Sequence, residues 1–205
     1  MSQLSGGLTS KQKELLERIF KLSTDSAAVA LSEMTEKPVF LESPRLGVVS
    51  LDSITNTAGG AESSVISAYL IFSGEINGNM LLVFPEQSAF KLINEILRQD
   101  DTSSEDLDKM AISVLGEVGN LVSSYFLSTL SDYTGMDLRP SSPMVVQDMI
   151  GAIISSAILM LERTPEEILC IETEIADENS KIEGYLMLFT DEDSLDKLLQ
   201  IIEVR

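Results

Sequence analysis

Apolar residues at Leu15, Leu16, Ile19, Leu22, Val29 and Leu31 recur at helical spacing and predict a long amphipathic helix from about Ser10 to Thr35. The polar, Gly-containing residues before it read as a frayed tail. Pro38 and Pro44 punctuate an extended stretch, and the Gly59-Gly60 pair breaks an irregular segment from about Leu51 to Glu62. Ser64–Ser73 and Gly78–Phe84 read as strands joined by a turn at Glu75–Asn77. A helix over about Glu86–Leu97 and a polar linker at Asp100–Glu105 close the first half. The second half repeats that order. A long helix is predicted over about Glu105–Tyr133, then an extended stretch through Arg139–Pro143 and a helix over about Val146–Leu161. Strands at Ile168–Ile175 and Ile182–Phe189 precede a last helix at about Glu192–Val204.

The parallel extends to individual residues. At an offset of 99, Leu16, Leu22, Leu31, Thr35, Ser43 and Pro44 align with Leu115, Leu121, Leu130, Thr134, Ser142 and Pro143. At an offset of 106, Ile76, Gly78, Leu82, Glu86, Ser88, Lys91 and Leu92 align with Ile182, Gly184, Leu188, Glu192, Ser194, Lys197 and Leu198. The expected architecture is one mixed α/β (α+β) domain over residues 1–205, built from two repeats at about 10–97 and 105–204. The repeats are expected to relate by a pseudo-twofold rotation, with two long helices packed on an antiparallel sheet.

One helix face stands apart. From Met110 to Leu130 the only charged residue is Glu117. At about 100° per residue, Ser113, Glu117, Asn120 and Ser124 fall within about 60° of arc as a narrow polar stripe. Glu117 and Asn120 are three apart, so their head groups lie side by side. An ordinary solvated face carries several long charged side chains; this one carries a single carboxylate among small groups. Gly116 and Gly119 flank the stripe at a helix-propensity cost of about 1 kcal/mol each, which would be explained if another molecule approached closely. In the first helix the same stripe reads Glu14, Arg18, Lys21 and Asp25, two opposite-charge pairs four apart. That is the look of a solvated face.

Composition narrows the chemistry. The 33 Asp and Glu against 14 Lys and Arg give a net charge of −19, which disfavours nucleic acid and anionic membranes as partners. With no His, Ser-His-Asp and Cys-His nucleophile systems and HExxH zinc sites are excluded. The lone Cys170 lies in an apolar run and is expected to be a small buried hydrophobe. No apolar leader opens the chain, and the most apolar stretch, Met149–Leu161, is too short to span a bilayer. A cytoplasmic, monomeric protein is expected. Glu117 and Asn120 supply too few hard ligands for a metal site, and a glycosidase would need a second carboxylate. A carboxamide can, however, orient a water without taking its proton, and a carboxylate can grip a partner's Lys. Such a set suits hydrolysis of an activated bond such as an acyl phosphate, with Mg²⁺ brought by the partner.

The run Ser113-x₃-Glu117-x₂-Asn120-x₂₂-Pro143 resembles the active-site motif of the CheC-type chemotaxis phosphatases (CheC, CheX and FliY). The resemblance covers nearly the whole chain, because CheC is itself duplicated, with the motif once per half. It implies that Glu117 contacts a phosphorylated response regulator of CheY type and that Asn120 orients the water that hydrolyses its phosphoaspartate. It also implies a possible second partner, the deamidase CheD. The first half departs from the pattern: Arg18 and Lys21 stand where Glu and Asn are required, although Pro44 keeps its spacing. One intact and one lost site are therefore expected. Two other readings stay open: a non-catalytic module that sequesters CheD or phosphorylated CheY, and a structural domain whose stripe packs on another copy.

Overall fold

The computed structural model describes residues 8–41, 45–49, 59–98, 107–161, 168–177 and 182–204, with the backbone alone for 45–49, 168–177 and 192. Helix α1, Ser10–Thr35, begins at Thr9, whose hydroxyl accepts the Gln12 N–H while the Gln12 side chain accepts the Thr9 N–H. This capping box satisfies two of the free donors at the helix start. After it come β1 (Val39–Leu41), β2 (Arg45–Val49), β3 (Ser64–Gly74), β4 (Gly78–Pro85) and α2 (Glu86–Leu97). The remaining elements are α3 (Lys109–Thr134), β5 (Leu138–Pro140), β6 (Met144–Met149), α4 (Ile150–Leu159), β7 (Ile168–Asp177), β8 (Gly184–Thr190) and α5 (Glu192–Val204).

All eight strands join one antiparallel sheet in the order β1-β7-β8-β4-β3-β5, with β2 also on β7 and β6 also on β3. Strand alternation sends Ile66, Ala68, Leu70 and Phe72 of β3, with Met80, Leu82 and Phe84 of β4, into the core beneath α1, α2, α3 and α5. Val65, Tyr69, Leu81, Val83, Met187 and Phe189 point to the opposite face and pack on Ile150, Ile153, Ile154, Ala157 and Ile158 of α4. Both faces of the central strands are covered, which explains why they read as near-continuous apolar runs. On the helical side α1 packs against α3, with the Phe20 and Phe126 rings stacked at a centroid distance of 6.0 Å. Fold class and the two long helices on an antiparallel sheet are as the sequence implied.

Two boundaries differ from the sequence reading. The long second-half helix starts at Lys109, not near Glu105, because the Asp108 carboxylate accepts the Ala111 N–H and acts as N-cap. The helix expected from Val146 starts at Ile150. Residues Met144–Met149 are instead a strand, held in register with Tyr69–Ser64 of β3. The apolar spacing of this run fits either structure, and pairing with a long, already ordered strand decides it. Pro44, the Asp100–Glu105 linker and most of the Leu51–Glu62 segment lie outside the described residues, as does the side chain of Cys170, whose backbone sits opposite Gly47.

Candidate functional site

Helix α3 is half core and half surface. By length and composition alone it could cross a membrane, but its apolar residues Val114, Leu115, Val118, Val122, Phe126 and Leu127 are buried in the core. The stripe lies on the opposite side. Ser113, Glu117 and Asn120 are exposed and Ser124 is half-buried. The helix ends cleanly at Gly135, whose φ of 76° lets its N–H reach the Ser131 carbonyl.

Pro143, 23 residues beyond Asn120 in the chain, is brought back against this helix. A Cβ placed on Gly119 would lie 3.5 Å from Pro143 Cβ and 2.6 Å from Ala68 Cβ of β3. This corrects the sequence reading at Gly119. The close approach at Gly119 is made by the protein's own sheet and its own Pro143 loop, since Gly119 is buried. Gly116 has more room, with only Val145 Cγ2 near, at 3.9 Å. Ala68 and Val145 face α3 because they are paired partners on adjacent strands. Ser113, Glu117, Asn120 and Pro143 thus belong to one region, formed by α3 and the Pro143–β6 segment on which it rests.

The Asn120 backbone carbonyl accepts a 3.1 Å hydrogen bond from the buried Ser123 hydroxyl, while its side-chain amide has no hydrogen-bond partner among the described residues. Beneath the site, the β6 edge is clasped to α2: Glu86 at the α2 start accepts from the Ser64 hydroxyl and, at 2.8 Å, from the Gln147 amide. These two hydrogen bonds hold the Glu86 carboxyl below its ordinary pKa. Sequence reasoning did not find Ala68, Ser123, Val145 or the Glu86 clasp. The Asn120-x₂₂-Pro143 spacing of the motif was the one available signal that the loop returns to the helix.

On α1 the corresponding stripe is different. Glu14, Arg18 and Asp25 are exposed and Lys21 is half-buried. Lys21 pairs with Asp25, as expected, whereas Glu14 and Arg18 form no ion pair among the described residues; the neighbouring pair is Lys13 with Glu17 at 3.8 Å. Exposed pairs of this kind are worth little, so nothing forces Glu14 and Arg18 together. Pro44 lies outside the described residues.

A family model described as chemotaxis phosphatase CheX matches residues 66–158, a span that contains all of α3. The chain is 30% identical over 196 residues to CheY-P phosphatase CheC of Bacillus subtilis (strain 168), covering 94% of each. Among solved structures, Thermotoga maritima FliY shares the fold at a TM-score of 0.76 and 15% identity, over 97% of this chain and 98% of that one. The middle domain of FliM from H. pylori shares it at 0.64 and 11% identity, over 94% and 99%. In class, then, this is a chemotaxis-type α/β domain that presents a Glu-x-x-Asn helix to solvent. The chain belongs to the CheC family.

Proposed function

We propose that the chain is a phosphatase for a phosphorylated response regulator of CheY type, with Glu117 and Asn120 as its working residues. The observation that carries this reading is the placement of Glu117 and Asn120, exposed one turn apart on a helix whose other face is locked into the core. A rigid helix can offer both groups to a docked partner with little reorganisation. Asn120, its amide unoccupied among the described residues, donates to and accepts from a water in line with the phosphoaspartate phosphorus. Glu117 pairs with a cation of the partner and sets that alignment. The amide orients the water without becoming its base, so rate enhancement comes from positioning. The donors along the stripe are one carboxylate, one amide and two hydroxyls, a poor set for a divalent cation. The Mg²⁺ that such hydrolysis uses is therefore assigned to the response regulator, where it neutralises charge on the transferring phosphoryl group. A cytoplasmic setting goes with that substrate.

We also propose that the domain is a duplication with one surviving site. The strand pairing supports it: exchanging β1–β4 with β5–β8 leaves the sheet order unchanged. In the central β4–β8 pair Leu81 lies opposite Met187, its equivalent at the 106-residue offset. The test of function is phosphate release from a response regulator phosphorylated by a small-molecule phosphodonor. Addition of the chain should accelerate release catalytically. Tight binding with unchanged release would instead identify a sequestering module.

A further inference from the structure

We propose that the C-terminal half of α1, with the Lys37–Phe40 segment beside it, forms a docking groove for a basic, amphipathic segment of a partner protein. This goes beyond the phosphatase reading and does not depend on it. The groove is a shallow, open one of about 840 Å³ and begins at Asp25, where the degenerate α1 stripe ends. Two large apolar side chains stand open in it, Val29 and Phe40, 57% and 50% exposed. The walls are fixed, not loose: Ser32 Oγ accepts the Val39 N–H at 2.9 Å and donates to the Ala28 carbonyl at 2.7 Å, stitching α1 to β1.

Charge selects the occupant. Asp25, Glu33, Glu36 and Lys37 line the groove; Asp25 pairs with Lys21, Glu36 with Arg98 and Lys37 with Glu95, so Glu33 is the lining carboxylate left over to select a cation. Glu33 has no ion-pair partner among the described residues. The last turn of α1 carries no basic residue, so the partial negative charge of the helix C-terminus adds to that of Glu33. Lys or Arg at the edges of an incoming segment would complement both, with an apolar side chain between them over Val29. From Asp25 to Glu36 the helix rises about 16 Å, the length of about three turns of a docked helix. A second copy fits less well, since it brings another −19 to an acidic rim. At the 99-residue offset the exposed Val29 and Phe40 correspond to Ser128 and Arg139, so the exposed apolar pair is peculiar to the first half.

The test uses a fluorescein-labelled 14-residue helix-forming peptide with leucines four apart flanked by lysines, and a control peptide of equal charge with those leucines replaced by serine. Anisotropy at 0.15 M salt should show at least tenfold tighter binding of the leucine peptide to the full chain. Val29→Ser combined with Phe40→Ser should remove that preference. Glu33→Lys, a surface change that leaves the core untouched, should weaken binding about tenfold, whereas Glu203→Lys at the far end of α5 alters the charge equally and should stay within twofold. Equal binding of the two peptides, or equal losses in both lysine variants, would show mere adsorption to an acidic protein and overturn the proposal. So would a concentration-dependent dimer, seen by sedimentation, that Val29→Ser dissociates.

Discussion

Gly116 and Gly119 sit one turn apart on α3, yet the same substitution should act on them in opposite directions. A methyl at 119 would press on Ala68 at 2.6 Å, so Gly119→Ala should cost about 1–3 kcal/mol by overpacking. At 116 the nearest atom is 3.9 Å away, so Gly116→Ala should gain up to about 1 kcal/mol of helix propensity. Urea denaturation of the two variants separates these outcomes; equal shifts would contradict the packing described. At the site itself, Asn120→Ala should lower the catalysed rate by about 10²-fold or more with an unchanged melting temperature, because a water-positioning amide acts in the transition state. Glu117→Ala should act chiefly on KM. Wild-type turnover in the Asn120 variant would remove the mechanism. These two residues were legible in the sequence because a helix face with one carboxylate among small groups is conspicuous. Ala68 and Val145 were not, since nothing local says which strand residues will meet a given helix.

Among elements, β6 is where local pattern and tertiary structure part. Met-Val-Val-Gln-Asp-Met is short and apolar enough for a helix start, and only pairing with β3 makes it a strand. Its hold on the fold includes the Glu86 clasp, which has a pH signature. The folded Glu86 carboxyl titrates below its ordinary value of 4.5, so its stabilising share is full above that value and fades as pH falls through the lowered one. Protection factors of the β6 amides, taken against intrinsic exchange at each pH, should therefore fall on acidification, and Glu86→Gln should blunt that response. An acid response undiminished in the variant would mean that other groups govern the edge. On the opposite face, the buried Tyr69 hydroxyl donates to Asn79 Oδ1 at 3.1 Å, and Asn79 in turn donates to the Ala157 carbonyl of α4. Burial raises the Tyr69 pKa, so this tie holds below the ordinary tyrosine range and weakens as pH climbs through the raised value.

At the scale of the molecule, two long helices share one sheet but only α3 bears the Glu-x-x-Asn pair. Calorimetry with a stably phosphorylated response-regulator mimic should give about one partner per chain. Arg18→Ala with Lys21→Ala should leave rate and affinity within about twofold; a stoichiometry of two, or a tenfold fall, would mean that α1 still takes part in recognition. The order of elements and both long helices were readable from periodicity, whereas sheet order was not, because pairing partners are set by three-dimensional packing rather than by spacing. That order carries a consequence for how the protein acquires its structure. The outer strands are exchanged: β1 and β2 lie on β7 of the other half, and β5 and β6 lie on β3. Neither half can complete its hydrogen-bond ladder alone, and the exchanged contacts join residues far apart in the chain, from Gly74 with Leu138 to Val39 with Asp177. Folding should accordingly be slow and all-or-none, with no intermediate in which one half is native. Separate polypeptides ending at 98 and starting at 107 should each be unstructured or aggregate through bare strand edges, and regain structure only when mixed. A free-standing chain of half this length could close its sheet only as an obligate dimer.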